Sequence, residues 1–398
     1  MPTTTPTALH RNLRAGYEAP AAPQRVLVFH VGSLGDTLVA LPSFWAVRDA
    51  FPRARRVMLT KRPARDAIPV GRDILEGSGL FDDYLLYEGD HHAYGRNPPR
   101  WRKWLGALNL VRKLRAGRFD LAVYLAPSTR DAAQVRRDQL FFRLAGIRRV
   151  IGSQTLGDAG GSGIVLEAER VLLRLVGTLV EPAPLNRARR DLALTPADRS
   201  TIDRWLASQP RAPADAGPWV AFAPGSNLQS KLWPEDHFEA AGRALIERFG
   251  IWPVIVGGPE DTELADRLLR AWGRGISAAG ALPVRQSAAL LERCRLFVGN
   301  DTGTMHLAAA CDVRCVALFS ARDVPGKWEP MGEGHRVLRK QVPCAGCMLV
   351  RCDAKDRLCM RLISVGEVVA AAAALLEPAS PLPSVSPEPA VSPLPALP

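Results

Sequence analysis

Short apolar runs alternate with amphipathic stretches through the first half of the chain. Such runs predict buried strands, and the stretches between them predict helices that pack on the sheet. The predicted strands are RVLVFHV (25–31), RVMLT (56–60), DLAVYLA (120–126) and RRVIG (148–152), with helices over 37–51 and 105–117. Strands alternating with helices indicate a doubly wound parallel sheet.

The alternation stops over residues 181–217, which mix Pro, Ala and charged residues, and it restarts at residue 219. The strands predicted in the second half are 219–225, 252–258, 296–301 and 313–319, and the helices are 234–250, 260–272, 283–294 and 364–377. We therefore predict an α/β protein of two Rossmann-like domains that face a central cleft. A chain of 398 residues also exceeds the size at which one core usually stops growing.

The predicted boundaries place an N-terminal domain at 24–185, a linker at 186–217 and a C-terminal domain at 218–377. Residues 1–23 and 378–398 are expected to be disordered tails, and the second contains eight prolines and almost no charge. The first tail lacks the apolar segment of a secretory signal, and no apolar run is long enough to cross a bilayer. We expect a cytoplasmic protein.

Basic residues outnumber acidic ones by 52 to 40, which gives a formal charge of +12. This charge favours anionic partners such as phosphorylated sugars, anionic lipid or nucleic acid. No zinc-finger, RRM or helix-turn-helix pattern is present, so nucleic acid is not an expected partner. A generally basic surface accounts for the charge equally well.

The segment HVGSLGDTLVALP (30–42) joins a strand to a helix through two glycines, Gly32 and Gly35. Ligands of open α/β sheets bind at such strand ends. The third glycine of a dinucleotide fingerprint is missing, and no acid follows the second strand, which argues against a nicotinamide enzyme. Asp36 fits two roles, a helix-capping acid or a general base for a hydroxyl group.

Two segments of the second half have the composition of an anion site. In APGSNLQSKLWPEDHF (223–238), small residues around Ser226 and a nearby Lys231 suit a diphosphate, although an isolated lysine is more often a solvated surface residue. In VIVGGPEDTELA (254–265), Glu260 suits a ribose or base contact, or again a helix cap.

The segment FVGNDTGTMHLAAA (297–310) carries the most specific pattern. Asp301, Thr302 and Gly303 follow a strand, and His306 lies in the first turn of a helix rich in small residues. Exposed N–H groups at such a helix start bind phosphate or sugar oxygens. A histidine in this position is otherwise a satisfied structural residue.

The order and spacing of GSLGDTL, SKLWP, GGPED and NDTGTMHLAAA resemble glycosyltransferase family 9, the heptosyltransferases, over residues 25–375. The resemblance implies a GT-B fold. It implies that a heptose is transferred with inversion from a nucleotide-sugar, ADP-heptose above all, to a lipopolysaccharide-core or other glycan acceptor. It also implies that catalysis needs no metal. It implies that Asp36 is the base. It also implies donor contacts through Ser226, Lys231, Glu260, Asp301, Thr302, Gly303 and His306.

Four cysteines are clustered as Cys344-x2-Cys347-x4-Cys352-x6-Cys359. They suit a structural zinc or iron site, and reduced free thiols are the alternative. Some protein-modifying members of the resembled family carry a cysteine-bound iron, which keeps protein O-heptosyl transfer open. Two further functions also stay open, a sugar-nucleotide epimerase and a non-catalytic sugar-binding relative.

The stretch HHAYGRNPPRWRKW (91–104) places basic residues among aromatic ones. We expect Gly35, Arg100, Arg102 and Lys103 on the acceptor side, where the basic residues would hold phosphate or carboxylate groups of a lipid-linked glycan at the inner membrane surface. An exposed basic loop without a ligand is the alternative.

Overall fold

The computed structural model describes residues 22–61, 71–87, 100–127, 130–154, 166–180, 188–210 and 216–377. The strands there are β1 (Arg25–Phe29), β2 (Arg55–Lys61), β3 (Asp83–Tyr87), β4 (Leu121–Tyr124), β5 (Val150–Ile151), β6 (Trp219–Ala223), β7 (Trp252–Ile255), β8 (Ile276–Ser277), β9 (Leu296–Asn300), β10 (Arg314–Phe319) and β11 (Arg336–Arg339). They form two sheets, ordered β3-β2-β1-β4-β5 and β11-β10-β9-β6-β7-β8, and the strand pairs are parallel.

The helices cover both faces of each sheet. In the described residues they are α1 (Leu34–Val39), α2 (Leu41–Ala50), α3 (Gly71–Leu75), α4 (Arg100–Gly117), α5 (Ala132–Leu144), α6 (Glu167–Leu173), α7 (Pro196–Ala207), α8 (Glu235–Phe249), α9 (Thr262–Trp272), α10 (Val284–Leu291), α11 (Gly303–Ala310), α12 (Leu358–Arg361) and α13 (Val365–Leu376). Short 3-10 helices lie at Gln229–Lys231 and Pro259–Asp261. No helix in these ranges is long and apolar enough to cross a membrane.

Successive side chains of β1 point to opposite faces of the sheet, so the N-terminal core has two layers. Leu27 and Phe29 pack with the side chains of α4 and α5 on one face. Val26 and Val28 pack with α1, α2 and α3 on the other. Since this second layer continues into the C-terminal domain, the two sheets share one apolar core along the cleft.

Side chains of β6 in the C-terminal sheet also alternate between two layers. Val220 and Phe222 face α8, α9 and α13. Ala221 and Ala223 face α10 and α11 and belong to the core shared with the first domain. Helix α1 packs directly on α11, which brings the starts of these two helices together at the cleft.

The two parallel sheets match the predicted fold class, and the differences are local. The helix predicted over 37–51 begins at Leu34 and is interrupted at Ala40, where α1 ends and Pro42 lies in the first turn of α2. The short strands β3, β8 and β11 were not predicted because each is an edge strand without a long apolar run.

The predicted linker contains helix α7, which packs against α10. A buried ion pair joins them, since Arg285 Nη2 lies 2.7 Å from Asp198 Oδ2. Within the predicted linker, helix α7 is therefore packed on the C-terminal domain. The domain boundaries remain predictions. Of the predicted tails 1–23 and 378–398, all but residues 22 and 23 lie outside the described residues.

Candidate functional site

The starts of α1 and α11 touch across the cleft because glycines allow it. A Cβ built on Gly303 would lie 2.8 Å from Leu34 Cδ2 and 2.9 Å from Leu34 Cβ. A Cβ on Gly35 would lie 3.2 Å from His306 Cδ2. The fold thus brings Gly35, predicted on the acceptor side, against Gly303 and His306, predicted on the donor side.

Asp36 occupies the third position of α1 and is held by Ser33. The Ser33 N–H donates to Asp36 Oδ2 at 2.6 Å, and the Ser33 hydroxyl donates to the same oxygen at 2.8 Å. Among the described residues, no hydrogen bond reaches Oδ1. The capping role of Asp36 is therefore real, and it leaves one carboxylate oxygen for a substrate.

Buried His30 lies beneath this turn. His30 Nδ1 is 2.9 Å from the Leu125 carbonyl, and Nε2 is 3.2 Å from Thr37 Oγ1. The Thr37 hydroxyl donates to the Ser33 carbonyl at 3.0 Å. This chain of contacts fixes Ser33, and through it the carboxylate of Asp36.

Lys231, which is partly buried, and Asp301, which is buried, form an ion pair on the donor side. Lys231 Nζ is 2.6 Å from Asp301 Oδ2 and donates to the Asp301 carbonyl at 3.3 Å. Burial raises the pKa of Asp301, and the nearby Lys231 ammonium opposes that rise. The lysine is thereby directed toward the start of α11 instead of bulk solvent.

His306 is buried in the first turn of α11, and its Nδ1 has no hydrogen-bond partner among the described residues. Burial, with a smaller effect from the Lys231 charge, lowers the pKa of His306 to about 3. The imidazole is therefore neutral at neutral pH. An unpartnered buried polar atom beside a helix N-terminus is a contact point for a ligand.

The remaining predicted donor residues lie at the same strand ends. Ser226 Oγ accepts a hydrogen bond from the Leu228 N–H at 3.2 Å. The Thr302 hydroxyl is 2.7 Å from that of Thr304. Glu260 is exposed in the 3-10 helix after β7.

The acid that caps this turn is Asp261. Its Oδ2 accepts from the Gly258 N–H at 3.0 Å, and a Cβ on Gly225 would lie 1.9 Å from its Oδ1. The alternative role considered for Glu260, a helix cap, belongs to its neighbour, and Glu260 is available to a ligand.

Asn300 connects the donor loops and was not predicted. Its Nδ2 donates to the carbonyls of Pro224 at 2.7 Å and Gly225 at 3.3 Å, and its Oδ1 accepts from the Trp233 N–H at 3.2 Å. It is fully buried at the end of β9. Its place before Asp301 at a strand end was the only sequence signal for this role.

The loop after β10 closes the other side of His306 and was also missed. The rings of Trp328 and His306 are 6.5 Å apart, and Trp328 Nε1 donates to Asp323 Oδ2 at 3.0 Å. The Lys327 carbonyl accepts from the Glu167 N–H of the N-terminal domain at 2.9 Å. This loop therefore joins the two domains beside the site.

The basic acceptor residues are placed only through their backbone. Helix α4 begins at Arg100 and includes Arg102 and Lys103, whose side chains lie outside the described part of the structure. Their contact with an acceptor remains a prediction.

The four clustered cysteines line one small cavity, together with Ala321 and Leu358. These cysteines, Cys344, Cys347, Cys352 and Cys359, are free thiols. Burial, and to a smaller extent the other three cysteines, raise the pKa of Cys359. In the described ranges no three His, Cys, Asp or Glu side chains are arranged to hold a metal. The donor set nevertheless suits a thiophilic ion, because four sulfurs face one cavity.

Comparison with known proteins identifies the family. The profile of glycosyltransferase family 9 (heptosyltransferase) matches residues 179–357. Lipopolysaccharide heptosyltransferase 1 of Pseudomonas aeruginosa is 32% identical over 354 residues, which is 82% of this chain and 87% of that protein. The chain belongs to glycosyltransferase family 9. Matches to lipopolysaccharide heptosyltransferase 2 of Salmonella typhimurium and of Escherichia coli span only 36% of each relative.

Solved heptosyltransferase structures confirm the predicted GT-B fold. The E. coli ADP-heptose lipopolysaccharide heptosyltransferase II superposes with a TM-score of 0.65 at 20% identity, covering 88% of this chain and 98% of that one. An E. coli heptosyltransferase determined with ADP superposes with a TM-score of 0.59 at 19% identity, covering 88% and 99%.

The helix contact of this family 9 chain can be tested with Gly303→Ala. The added methyl would meet Leu34 near its backbone, so α1 and α11 must separate, and a displacement of the order of 1 Å is expected to cost about a hundredfold in turnover. Gly366→Ala is the matched control, since a Cβ there meets nothing within 4 Å. Equal turnover of the two variants would show that the contact is not needed.

The buried His306 predicts a pH dependence of stability. Folding lowers its pKa to about 3, from 6.5 for a free histidine side chain. Between these values the unfolded chain binds more protons, so stability rises with pH and is lost as pH falls below about 6.5. The free energy of unfolding is measured by chemical denaturation without donor at about pH 7 and about pH 4.5. Over this range it should fall by about 2 kcal/mol more in wild type than in His306→Gln. Parallel losses would contradict a neutral, buried His306.

Proposed function

We propose that this chain transfers a heptose, or a related sugar, from a nucleotide-diphosphate donor to a glycan hydroxyl with inversion. ADP-heptose is the first donor to test, because the solved relatives are an ADP-heptose heptosyltransferase and a heptosyltransferase with ADP. The observation that carries the proposal is the contact of the Asp36 turn with the start of α11. It puts the turn that holds Asp36 beside the N-terminus of α11, toward which Lys231 is directed from the 3-10 helix after β6.

The donor diphosphate would bind at the start of α11. The first N–H groups of a helix have no intrahelical partner and attract anions. Lys231 adds a positive charge there, and His306 Nδ1 offers one further polar contact. Glu260, free of the capping role, would accept hydrogen bonds from the nucleoside.

In the proposed reaction Asp36 acts on the acceptor. Its Oδ1 takes the proton of the acceptor hydroxyl as that oxygen attacks the anomeric carbon from the face opposite the diphosphate. The carbon–oxygen bond to the diphosphate breaks, and the nucleoside diphosphate leaves with the bonding electrons. Lys231 and the α11 N–H groups stabilise the charge that develops on it, so we assign this role to the chain's own residues and to no divalent cation.

The acceptor would lie against the N-terminal domain. We propose a lipid-linked core glycan whose phosphate or carboxylate groups meet Arg100, Arg102 and Lys103 at the start of α4. Arginine suits such groups because it binds them in a bidentate manner. A lipid-linked acceptor also requires peripheral contact with the inner membrane surface.

The experiment that tests this function measures donor binding and donor consumption separately. ADP-heptose and GDP-, UDP- and dTDP-sugars are titrated against the purified protein by calorimetry. Release of the nucleoside diphosphate is then followed with and without a glycan acceptor. Selective binding with acceptor-dependent release supports a transferase, whereas an isomerised donor without acceptor would indicate an epimerase. Binding without either reaction would indicate a sugar-binding protein.

We further propose that the four-cysteine cavity holds a structural zinc or iron ion. Elemental analysis should find about one ion per chain, and Cys344→Ser/Cys347→Ser should lose it with a lower melting temperature. Cys311→Ala, outside the cluster, is the control. Equal metal content in wild type and the double variant would indicate that the four cysteines are free thiols.

A further inference from the structure

Helix α4 exposes large apolar side chains on one side. Trp104, Leu105 and Leu108 are 68%, 57% and 58% exposed. The helical period places them on one sector of the surface together with Arg112 and Arg115. The opposite side of the helix is already packed, since Leu114 is fully buried in the core beneath.

Helix α5 repeats this composition beside it. Leu140 and Leu144 are 57% and 54% exposed, on the same side of the helix as Arg136 and Arg137. The two helices adjoin, because Arg115 Nε donates to the Leu144 carbonyl at 3.0 Å. Of the 11 large apolar side chains exposed in the described residues, five lie on these two helices. Contiguous exposure of this kind marks an interaction surface.

The charge of this surface has one sign. Helix α4 contains no acid, and among the side chains that the structure describes the exposed charges of both helices are Arg112, Lys113, Arg115, Arg136, Arg137 and Arg143. The single acid within α5 is Asp138, which is buried and accepts from the Tyr124 hydroxyl at 2.9 Å. It pairs with Arg130 at 3.0 Å and with Arg137 at 3.3 Å, so Arg137 alone among the surface arginines has a carboxylate partner within these helices. No exposed carboxylate lies within either helix to offset the arginines.

We propose that this α4–α5 surface docks on an anionic lipid bilayer. Tryptophan and leucine bury in the interfacial region while basic side chains contact anionic headgroups. A second copy of the chain fits less well, because a twofold contact would set the arginines against one another. The surface combines an apolar and a cationic component, and an anionic bilayer offers a complement to both.

The position of the surface relates it to the cleft. Helix α4 follows β3 and α5 follows β4, so both helices begin at the sheet edge where the strands end and the site lies. Trp104 and Leu108 are in the half of α4 nearest that edge, and the surface extends toward the opposite edge through Leu140 and Leu144 in the second half of α5. Docking would bring the cleft to the membrane surface, where the proposed lipid-linked acceptor lies, so the role of this surface rests on the proposed function. The exposed apolar and basic side chains that indicate docking do not depend on that function.

The test is co-sedimentation of the full chain with vesicles, with neither donor nor acceptor present. Wild type should bind vesicles of phosphatidylcholine and phosphatidylglycerol in about equal parts and bind phosphatidylcholine alone at least about tenfold less. Leu108→Ser/Leu140→Ser should lower binding to the anionic vesicles about tenfold or more. Val350→Ser/Leu362→Ser, exposed 58% and 47% on the other domain, is the matched control and should bind as wild type does.

A charge variant tests the second component. Arg112→Gln/Arg136→Gln should lower binding about tenfold, and Arg204→Gln/Arg270→Gln, exposed residues elsewhere, should not. The inference is overturned by absent wild-type binding, by equal binding to neutral vesicles, or by equal losses in the controls. A dimer that Leu108→Ser/Leu140→Ser dissociates would make the surface a subunit interface instead. Transfer to a water-soluble acceptor should be unchanged in these variants, which separates failure of docking from failure of the proposed function.

Discussion

Asp36→Asn is expected to lower the transfer rate by about a thousandfold while donor affinity stays within about twofold of wild type. The amide cannot take a proton from the acceptor hydroxyl. Its oxygen can still accept the two hydrogen bonds from Ser33, so the turn and its contact with α11 should persist. The measurement is single-turnover transfer at saturating donor, with donor affinity determined by calorimetry.

The control for this variant is Asp49→Asn. Asp49 is an exposed acid in α2 whose partner is Arg48, and its loss should leave transfer unchanged. Transfer by Asp36→Asn at the wild-type rate would remove Asp36 from the base role and leave it a capping residue. A parallel loss of donor binding would instead indicate that the substitution had disturbed α11.

Lys231→Met is expected to weaken donor binding and to lower turnover by about a hundredfold. The variant lacks the cation that stabilises the departing diphosphate. It also leaves Asp301 buried without its partner, and breaking such a pair costs about 3 kcal/mol of stability. Calorimetric donor titration, steady-state turnover and denaturant unfolding measure the three effects separately.

A second substitution separates stability from binding. Because burial already raises the pKa of Asp301, a neutral Asn is tolerated there better than an unpaired carboxylate. Lys231→Met/Asp301→Asn should therefore regain most of the lost stability without regaining turnover. Lys340→Met, which removes a partly exposed lysine paired with Glu367, is the control. Wild-type turnover in the double variant would exclude Lys231 from the site.

The order of strands and helices could be predicted because helices cover both faces of each sheet. Central strands such as β1 and β9 are covered on both faces, so they are continuous apolar runs in the sequence. The edge strand β11 is half-buried and short, and its apolar pattern is correspondingly weak. Helix α5 was missed because its sequence is rich in charged residues and it exposes two leucines to solvent.

The candidate site was predictable where the chemistry lies at a strand end within a short segment. Asp36, Lys231 and His306 each follow a predicted strand, and the fold brings their loops together. What could not be predicted is which side chains connect those loops. The hydrogen bonds of Asn300 to Pro224 and Gly225 join residues 76 and 75 positions apart, and no local pattern encodes them.

The sequence also did not show which of two adjacent residues in one turn has the capping role. Glu260 and Asp261 are adjacent acids at one helix start, and the sequence offers no means to decide which caps the turn. The structure decides for Asp261 because the space over Gly225 and Gly257 accommodates its carboxylate. Trp328 was not predicted because it meets His306 from 22 positions further along the chain, and its loop meets the N-terminal domain through the Lys327 carbonyl; no local pattern encodes either contact.

We propose above that a heptosyl group passes from donor to acceptor on this chain. The most direct measurement incubates the wild-type protein with ADP-heptose and a lipopolysaccharide-core acceptor that lacks heptose, and follows the acceptor by mass spectrometry and NMR. We expect an acceptor heavier by one heptosyl residue, with the anomeric configuration opposite to that of the donor, and formation of this product about a thousandfold more slowly by Asp36→Asn. An unmodified acceptor in the presence of bound donor, or a product that retains the donor configuration, would contradict the proposal.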